Sequence, residues 1–254
     1  NMAGHMIYDS GCFVYDAMGT RWICDLGRDG YNGNTSTYYR TRAEGNNVYV
    51  FDPDDSMGQV KETYGQGLVR RESNDEDSFA VIDITASYSN VANKAQRGFR
   101  LTDNRKVAVI KDEIELKDDK THKFYSFLHT GTEIEIADFK TAYLRDKGKT
   151  MRVKLDTNQP LEFKVMEAYQ METSPTPDYD QKDHSKFKKL AICGEVKGNI
   201  DIMVTMTPQI GGVDFVQVQN QPLSDWTLVP ESGVAKEKQK IDGMTVNGKP
   251  YAMF

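Results

Sequence analysis

Tyr38-Tyr39-Arg40-Thr41-Arg42-Ala43-Glu44-Gly45-Asn46-Asn47 runs without a break into Val48-Tyr49-Val50-Phe51, which stops at Asp52-Pro53. The second half reads as a strand, because β-branched and aromatic residues suit a pleated, half-buried surface and proline cannot continue a ladder. The first half packs two aromatics, two arginines, a carboxylate and two amides into ten residues. Such a density of hydrogen-bonding groups suits a site for an acidic sugar, since the arginine fork matches carboxylate and sulfate geometry.

The rest of the chain repeats the period of two. Phe13-Val14-Tyr15 turns at Met18-Gly19 into Arg21-Trp22-Ile23, a hairpin. Further strands are predicted at Phe79–Thr85, Gly98–Leu101, Val107–Ile110, Phe124–His129, Thr132–Ile136 and Thr141–Leu144. Met151–Leu155, Leu161–Met166, Lys189–Cys193 and Ile200–Met206 follow, with Gly194–Gly198 as the break between the last two. Asn247-Gly248 between strand formers signals a two-residue hairpin loop. The one stretch expected to supply a helical turn is Asn90–Gln96. Strands at intervals of about 10 residues with so little helix predict an all-β fold. We expect one domain over residues 1–254, a large antiparallel multi-sheet sandwich of the supersandwich kind. Two polar connections interrupt the rhythm: Thr173–His184, and Gln209–Val229, for which Trp226 is the largest anchor.

At 254 residues, 38% apolar and 28% charged, the chain has the composition of a folded domain with a sizeable core. Its apolar runs are strand-sized, far short of the roughly 20 residues that span a bilayer. The net charge of −6 argues against a nucleic-acid partner, which needs a basic face. A polyanionic sugar would need a local basic patch, for which Arg40/Arg42, Arg70-Arg71 and Arg97/Arg100 are the candidates. The bland alternative is that these are ordinary solvated strand residues. Cys12, Cys24 and Cys193 have neither disulfide-framework nor metal spacing and are expected to be free thiols. No signal peptide is read in its first residues, which leads us to expect a mature fragment, an excised domain or vector-derived leading residues.

The opening stretch resembles the tyrosine-arginine-(Ala-Glu-Gly)-histidine-asparagine signature of the heparinase II/III family of bacterial polysaccharide lyases, with Asn46 in place of the histidine. Other matches follow in order. Asp9-Ser10-Gly11-Cys12-Phe13-Val14 is similar to the family's histidine-x-aspartate-x-glycine-serine-phenylalanine block. Arg21–Gly27 is similar to its aspartate-bearing strand end, and Asp83-Ile84-Thr85-Ala86-Ser87-Tyr88 to its aspartate-x-threonine…tyrosine motif. Arg97–Arg100 with Val109–Glu113, Phe127–Thr130, and Ser174-Pro175…Gln181…Lys189–Ile192 complete the set, from about Asp9 to Met206.

The resemblance implies the C-terminal β domain of a lyase whose N-terminal half is an α/α toroid, in a periplasmic or secreted enzyme. The family's chemistry is β-elimination at a uronic acid. A base removes the proton α to the carboxylate, an acid protonates the leaving oxygen, and cations or amides stabilise the developing charge. The tyrosine and asparagine acid/base residues lie in the toroid, so this chain alone is expected to be inactive. Substrate contacts fall on Tyr38, Tyr39, Arg40, Arg42, Glu44 and Asn46, and no catalytic residue is assigned here beyond His5 as a candidate.

In some members a structural zinc is held by the first block's histidine, the strand-end aspartate and the signature histidine. Mapped here, the aspartate is Asp25 and the second histidine is Asn46. The first histidine is Ile7 without gaps, or His5 with a two-residue insertion; His5 reads equally as a cloning remnant. An amide is a poor zinc ligand, so no cofactor is expected, with zinc the sole candidate.

Bland readings stand beside these. His129 fits a packed strand histidine, His184 a solvated loop residue, and Asp25 a turn cap. Asp112 and Glu113 cannot pair on one substrate, because adjacent strand residues point to opposite faces. Tyr38 and Tyr39 suit cross-strand packing as well as sugar stacking. A catalytically dead carbohydrate-binding module and a structural β domain are the rival functions.

Overall fold

The computed structural model describes residues 7–30, 33–53, 67–209, 217–230, 245–246 and 249–250. Strand β1 (Tyr15–Ala17) and β2 (Thr20–Ile23) form the expected hairpin, turning on Met18 and Gly19, both at positive φ. Then come β3 (Tyr49–Phe51), β4 (Gly67–Ser73), β5 (Ser78–Asp83), β6 (Ala92–Thr102), β7 (Val107–Leu116) and β8 (His122–Thr130). The chain continues through β9 (Glu133–Asp138), β10 (Thr141–Asp146), β11 (Lys149–Thr157), β12 (Leu161–Glu167), β13 (Lys188–Val196) and β14 (Asn199–Gln209). Strands β15 (Thr245–Val246) and β16 (Lys249–Pro250) pair antiparallel as expected, although the Asn-Gly turn lies outside the described residues.

Pairing is antiparallel throughout. An eight-stranded sheet has the order β4-β5-β6-β7-β14-β11-β10-β9, and a four-stranded sheet the order β12-β13-β8-β3. Their inner faces share one core. Ala108, Ile110, Ile114, Met151, Val153, Val204 and Met206 of the large sheet meet Tyr49, Phe51, Phe124, Leu128, Leu190 and Ile192 of the small one. This is a β-sandwich, all strand and short 3-10 turns, as predicted.

The outer face of the large sheet is also covered. Val107 and Val109 alternate with Ala108 and Ile110 and pack under Leu223 and Trp226 of the segment after β14. Burial on both faces explains why Val107–Ile110 is a continuous apolar run rather than an alternating one.

Three expectations shift. Residues 92–96 belong to β6, and the helical turn lies just upstream at Thr85–Tyr88, where Thr85 Oγ1 accepts the Ala95 amide (2.9 Å). The break before β14 is narrower than Gly194–Gly198. Strand β13 runs to Val196, and the turn uses Gly198 in the left-handed region. Strand β4 escapes the pattern because its residues, apart from the half-buried Arg70, are all exposed, leaving no apolar alternation to read.

The layer between the sheets holds a buried charge pair. Arg97 and Asp112 are register partners on β6 and β7, and both are buried. The guanidinium grips the carboxylate with both arms (2.6 and 3.0 Å) and donates to Gly11 O and Asn47 O, both at 2.8 Å. Arg100 pairs with Asp77 at the margin of the same sheet. Neither arginine belongs to a solvent-facing basic patch. As expected, Asp112 and Glu113 diverge: Glu113 turns outward and accepts the Leu223 amide (2.7 Å).

At one end of the sandwich, His122 sits between Asp52 (Nδ1, 2.5 Å) and Asp118 (Nε2, 2.9 Å). Burial alone would lower its pKa, but the hydrogen bonds and charges of the two aspartates outweigh that and raise it. A raised histidine stabilises the fold below the unfolded pKa of about 6.5, and the contribution fades as pH climbs through the folded value. We therefore expect the thermal midpoint gap between wild type and His122→Gln to be wide at pH 5.5 and to close by pH 8.5. A gap independent of pH in calorimetry would refute the linkage.

Candidate functional site

The outer face of the four-stranded sheet presents Phe127 and His129 of β8 and Lys189 and Ala191 of β13, in register as His129 opposite Lys189 and Phe127 opposite Ala191. The opening stretch lies over it as two short 3-10 turns, Tyr39–Thr41 and Ala43–Gly45, preceded by a third at Thr35–Thr37. The polar connection 168–187 closes over the stretch. The local reasons are visible in the sequence. Ala43 packs on Val48, Val50 and Phe127, and any side chain at position 45 would place its Cβ 2.0 Å from Tyr39 O, so only glycine fits. Glu44 accepts from Met171 N (2.6 Å), Ser174 Oγ (2.6 Å) and Arg42 Nε (3.1 Å), a fully buried carboxylate with three donors.

At the centre Tyr39 Oη lies 2.6 Å from His129 Nε2. The proton positions follow from Asn47. Its Oδ1 receives the His129 backbone N–H (2.7 Å), a group that can only donate, and its Nδ2 donates to Phe13 O and Cys24 O, both at 2.8 Å. His129 Nδ1 shares the same oxygen at 3.0 Å and so carries the ring proton. Nε2 is then the acceptor and Tyr39 the donor. Burial, with the charges of Lys189 and His184, holds His129 well below the usual histidine range, and burial raises Tyr39 well above the phenol range. The pair is a neutral phenol donating to a neutral imidazole.

Lys189 is buried beside it. Its Nζ donates to Tyr169 O (3.1 Å) and lies over the rings of Phe127 (4.4 Å) and Tyr39 (5.1 Å). Desolvation lowers its pKa to about 8, against the opposing pull of Glu44. His184 is not solvated as expected: it is buried, stacked on Tyr39 with ring centroids 4.8 Å apart, its Nδ1 on Lys182 O (2.9 Å). A polar loop gave no sign that its histidine would fold back under Tyr169.

The residues named from the sequence are thus gathered, but mostly as structure. Tyr38, Tyr39, Arg42, Glu44 and Asn46 are buried; Arg40 is half-buried, donating to Leu26 O (2.8 Å) and Asp183 O (2.7 Å). Tyr39 hands its backbone N–H to Gln181 Oε1 (2.6 Å). Asn46 Nδ2 donates to Arg42 O (2.8 Å) and Arg40 O (3.2 Å), while its Oδ1 has no partner among the described residues. Asp25 is exposed and caps Gly27 N (2.6 Å). His5 lies outside the described residues. Sequence reasoning missed Asn47, Lys189 and Gln181 as organisers, although Asn47 closes the very stretch that drew attention.

Of the implied zinc set, Asp25 caps a turn through Oδ1, Asn46 turns its NH2 group to two carbonyls and so presents no donor set a zinc ion favours, and His5 lies outside the described residues. All three cysteines are free.

Comparison with known proteins agrees with this architecture. The C-terminal profile of the heparinase II/III-like family matches residues 1–201. No curated protein matches the chain. Among solved structures, a heparinase III gene product superposes with TM-score 0.59 at 17% identity, over 81% of this chain and 31% of its own. Heparan sulfate lyase HepC from Pedobacter heparinus gives TM-score 0.61 at 14% identity, over 83% of this chain and 32% of its own. Likeness at such identity speaks for the fold alone, and the chain spans about a third of the length of those structures. No described helix is long and apolar enough to cross a membrane. With a β-sandwich, the signature folded over one sheet, and a family profile covering most of its length, the chain belongs to the heparinase II/III-like family, of which it carries the C-terminal domain.

Proposed function

We propose that this domain forms one wall of the substrate cleft of a periplasmic or secreted lyase that cleaves a uronic-acid polysaccharide, glycosaminoglycan-like in charge, by β-elimination. The observation that carries the reading is the sealed Tyr39–His129 pair. It has acid–base groups of the right type, but both are fully buried, so the domain rigidifies a wall rather than working on the sugar directly. An N-terminal helical toroid then supplies the reacting groups, in keeping with the length of the solved relatives. Arg40 is the signature cation nearest to solvent, and it positions the substrate carboxylate or sulfate.

The isolated chain should bind acidic oligosaccharide weakly and release no unsaturated uronate, read by the absorbance of that product. Arg40→Ala should weaken binding roughly 10-fold or more, the worth of one hydrogen bond to a charged group. Elimination at a normal rate by the isolated chain would sink the division of labour. Asn46 in place of the signature histidine favours a second reading, a non-catalytic carbohydrate-binding module. Joined to its natural upstream region, the domain would then bind the polysaccharide and still give no product.

A further inference from the structure

The segment 217–230 crosses the outer face of the large sheet without joining either sheet. Side chains of the sheet hold its backbone instead. Arg70 donates to Leu223 O (3.0 Å), Ser224 O (3.2 Å) and Trp226 O (2.6 Å); Arg100 donates to Thr227 O (3.0 Å) and Asn74 to Val229 O (2.9 Å). Carboxylates take the amides, Glu113 that of Leu223 (2.7 Å) and Asp77 that of Val229 (2.8 Å). This grip reads main chain in both hydrogen-bonding senses and is indifferent to most side chains.

Three side chains are read: Asn220 accepts from Lys111 Nζ (2.6 Å) and donates to Asp201 Oδ1 (2.7 Å), and two are apolar anchors. Leu223 and Trp226, three apart on one 3-10 turn, are 2% and 3% exposed, with Trp226 edge-on to Phe79 (5.9 Å). Gly98 makes the seat: a Cβ there would lie 2.3 Å from Leu223 and 2.8 Å from Trp226. Pockets of about 240 and 260 Å³ lie beside the segment, the first reaching Trp226 and the second under residues 217–220. The family match ends at residue 201, so the seat lies within the common domain and the segment beyond it.

We propose that the outer face of the eight-stranded sheet is a peptide-binding surface for a segment with an Asn-x-x-Leu-x-x-Trp pattern that seats Leu and Trp on one 3-10 turn, and that residues 217–230 are its tethered ligand, separable from the fold. Backbone clamping with two anchor pockets is how receptors take linear peptides, and tethering raises the local ligand concentration to about millimolar, so the seat stays filled in cis.

The test is to place a protease site between Gln209 and Gln217 of the full chain, cleave it, and offer a fluorescein-labelled peptide of residues 217–230. The cleaved protein should keep its fold and exchange its own segment for the peptide, while the uncut chain takes up little. A Trp226→Ala peptide, or an Arg70→Ala protein with the normal peptide, should bind at least about tenfold more weakly, as buried Trp and Arg anchors do. Unfolding on cleavage, absence of exchange, equal uptake by the uncut chain, or equal binding of the Trp226→Ala peptide would each overturn the proposal.

Discussion

Arg97→Met should be the most damaging single change in the sandwich, lowering stability by about 3–5 kcal/mol, because it leaves Asp112 charged and unpaired between the sheets. With domain stabilities of about 5–15 kcal/mol, that is a large share of the total. The loss extends past the ion pair. Arg97 also holds the carbonyls of Gly11 and Asn47, so the change frees the N-terminal block and the end of the signature together. Urea unfolding measures the shift directly. The double variant Arg97→Met/Asp112→Leu should regain much of it, since a well-packed apolar pair replaces a buried ion pair at little net cost. If the double variant is no better than the single one, the carbonyl contacts, not the charge, carry the effect.

Asn47→Ala should come next, at about 3–4 kcal/mol, because buried partners left without a bond each cost about 1–3 kcal/mol. Four bonds vanish at once: the two donated to Phe13 O and Cys24 O, and the two received from His129. A distinctive signature accompanies the loss. With its Nδ1 acceptor gone, His129 is no longer held in one tautomer, so the ring nitrogen shifts in NMR should move towards an averaged state. Loss of stability with unchanged ring shifts would mean that Asn47 only packs. Arg97 binds the Asn47 carbonyl, so the two changes should not add.

These two residues also mark how far the sequence could be read. Period-two alternation located nearly every strand, because inner-face residues such as Ala108, Ile110, Val204 and Met206 must be apolar. It failed for β4, which buries almost nothing, and for residues 92–96, where a bulge between Ala92 and Lys94 spoils the period. The site was legible as a place but not as a mechanism. Tyr38–Asn47 read as a collection of sugar-binding groups, with packing as the alternative for its tyrosines, and its burial depends on the 168–187 connection folding back, with Glu44 meeting Met171 and Ser174 across more than a hundred residues of chain. No local pattern encodes such a meeting. His129 was rightly suspected of being a packed strand residue, whereas His184 needed the tertiary fold to reveal its stack on Tyr39.

The order of the large sheet has one further consequence. Among the described residues its terminal strands are β4 and β9, and each sets three charges beside its exposed apolar residues Leu68, Val69 and Ile136: Arg70, Arg71 and Glu72 on one, Glu133, Glu135 and Asp138 on the other. Two molecules that met along β9 in the antiparallel sense would set rows of carboxylates side by side, a repulsion that the cross-strand geometry places at short range. On that edge, a sheet wide enough to template its own extension carries a charge barrier against it.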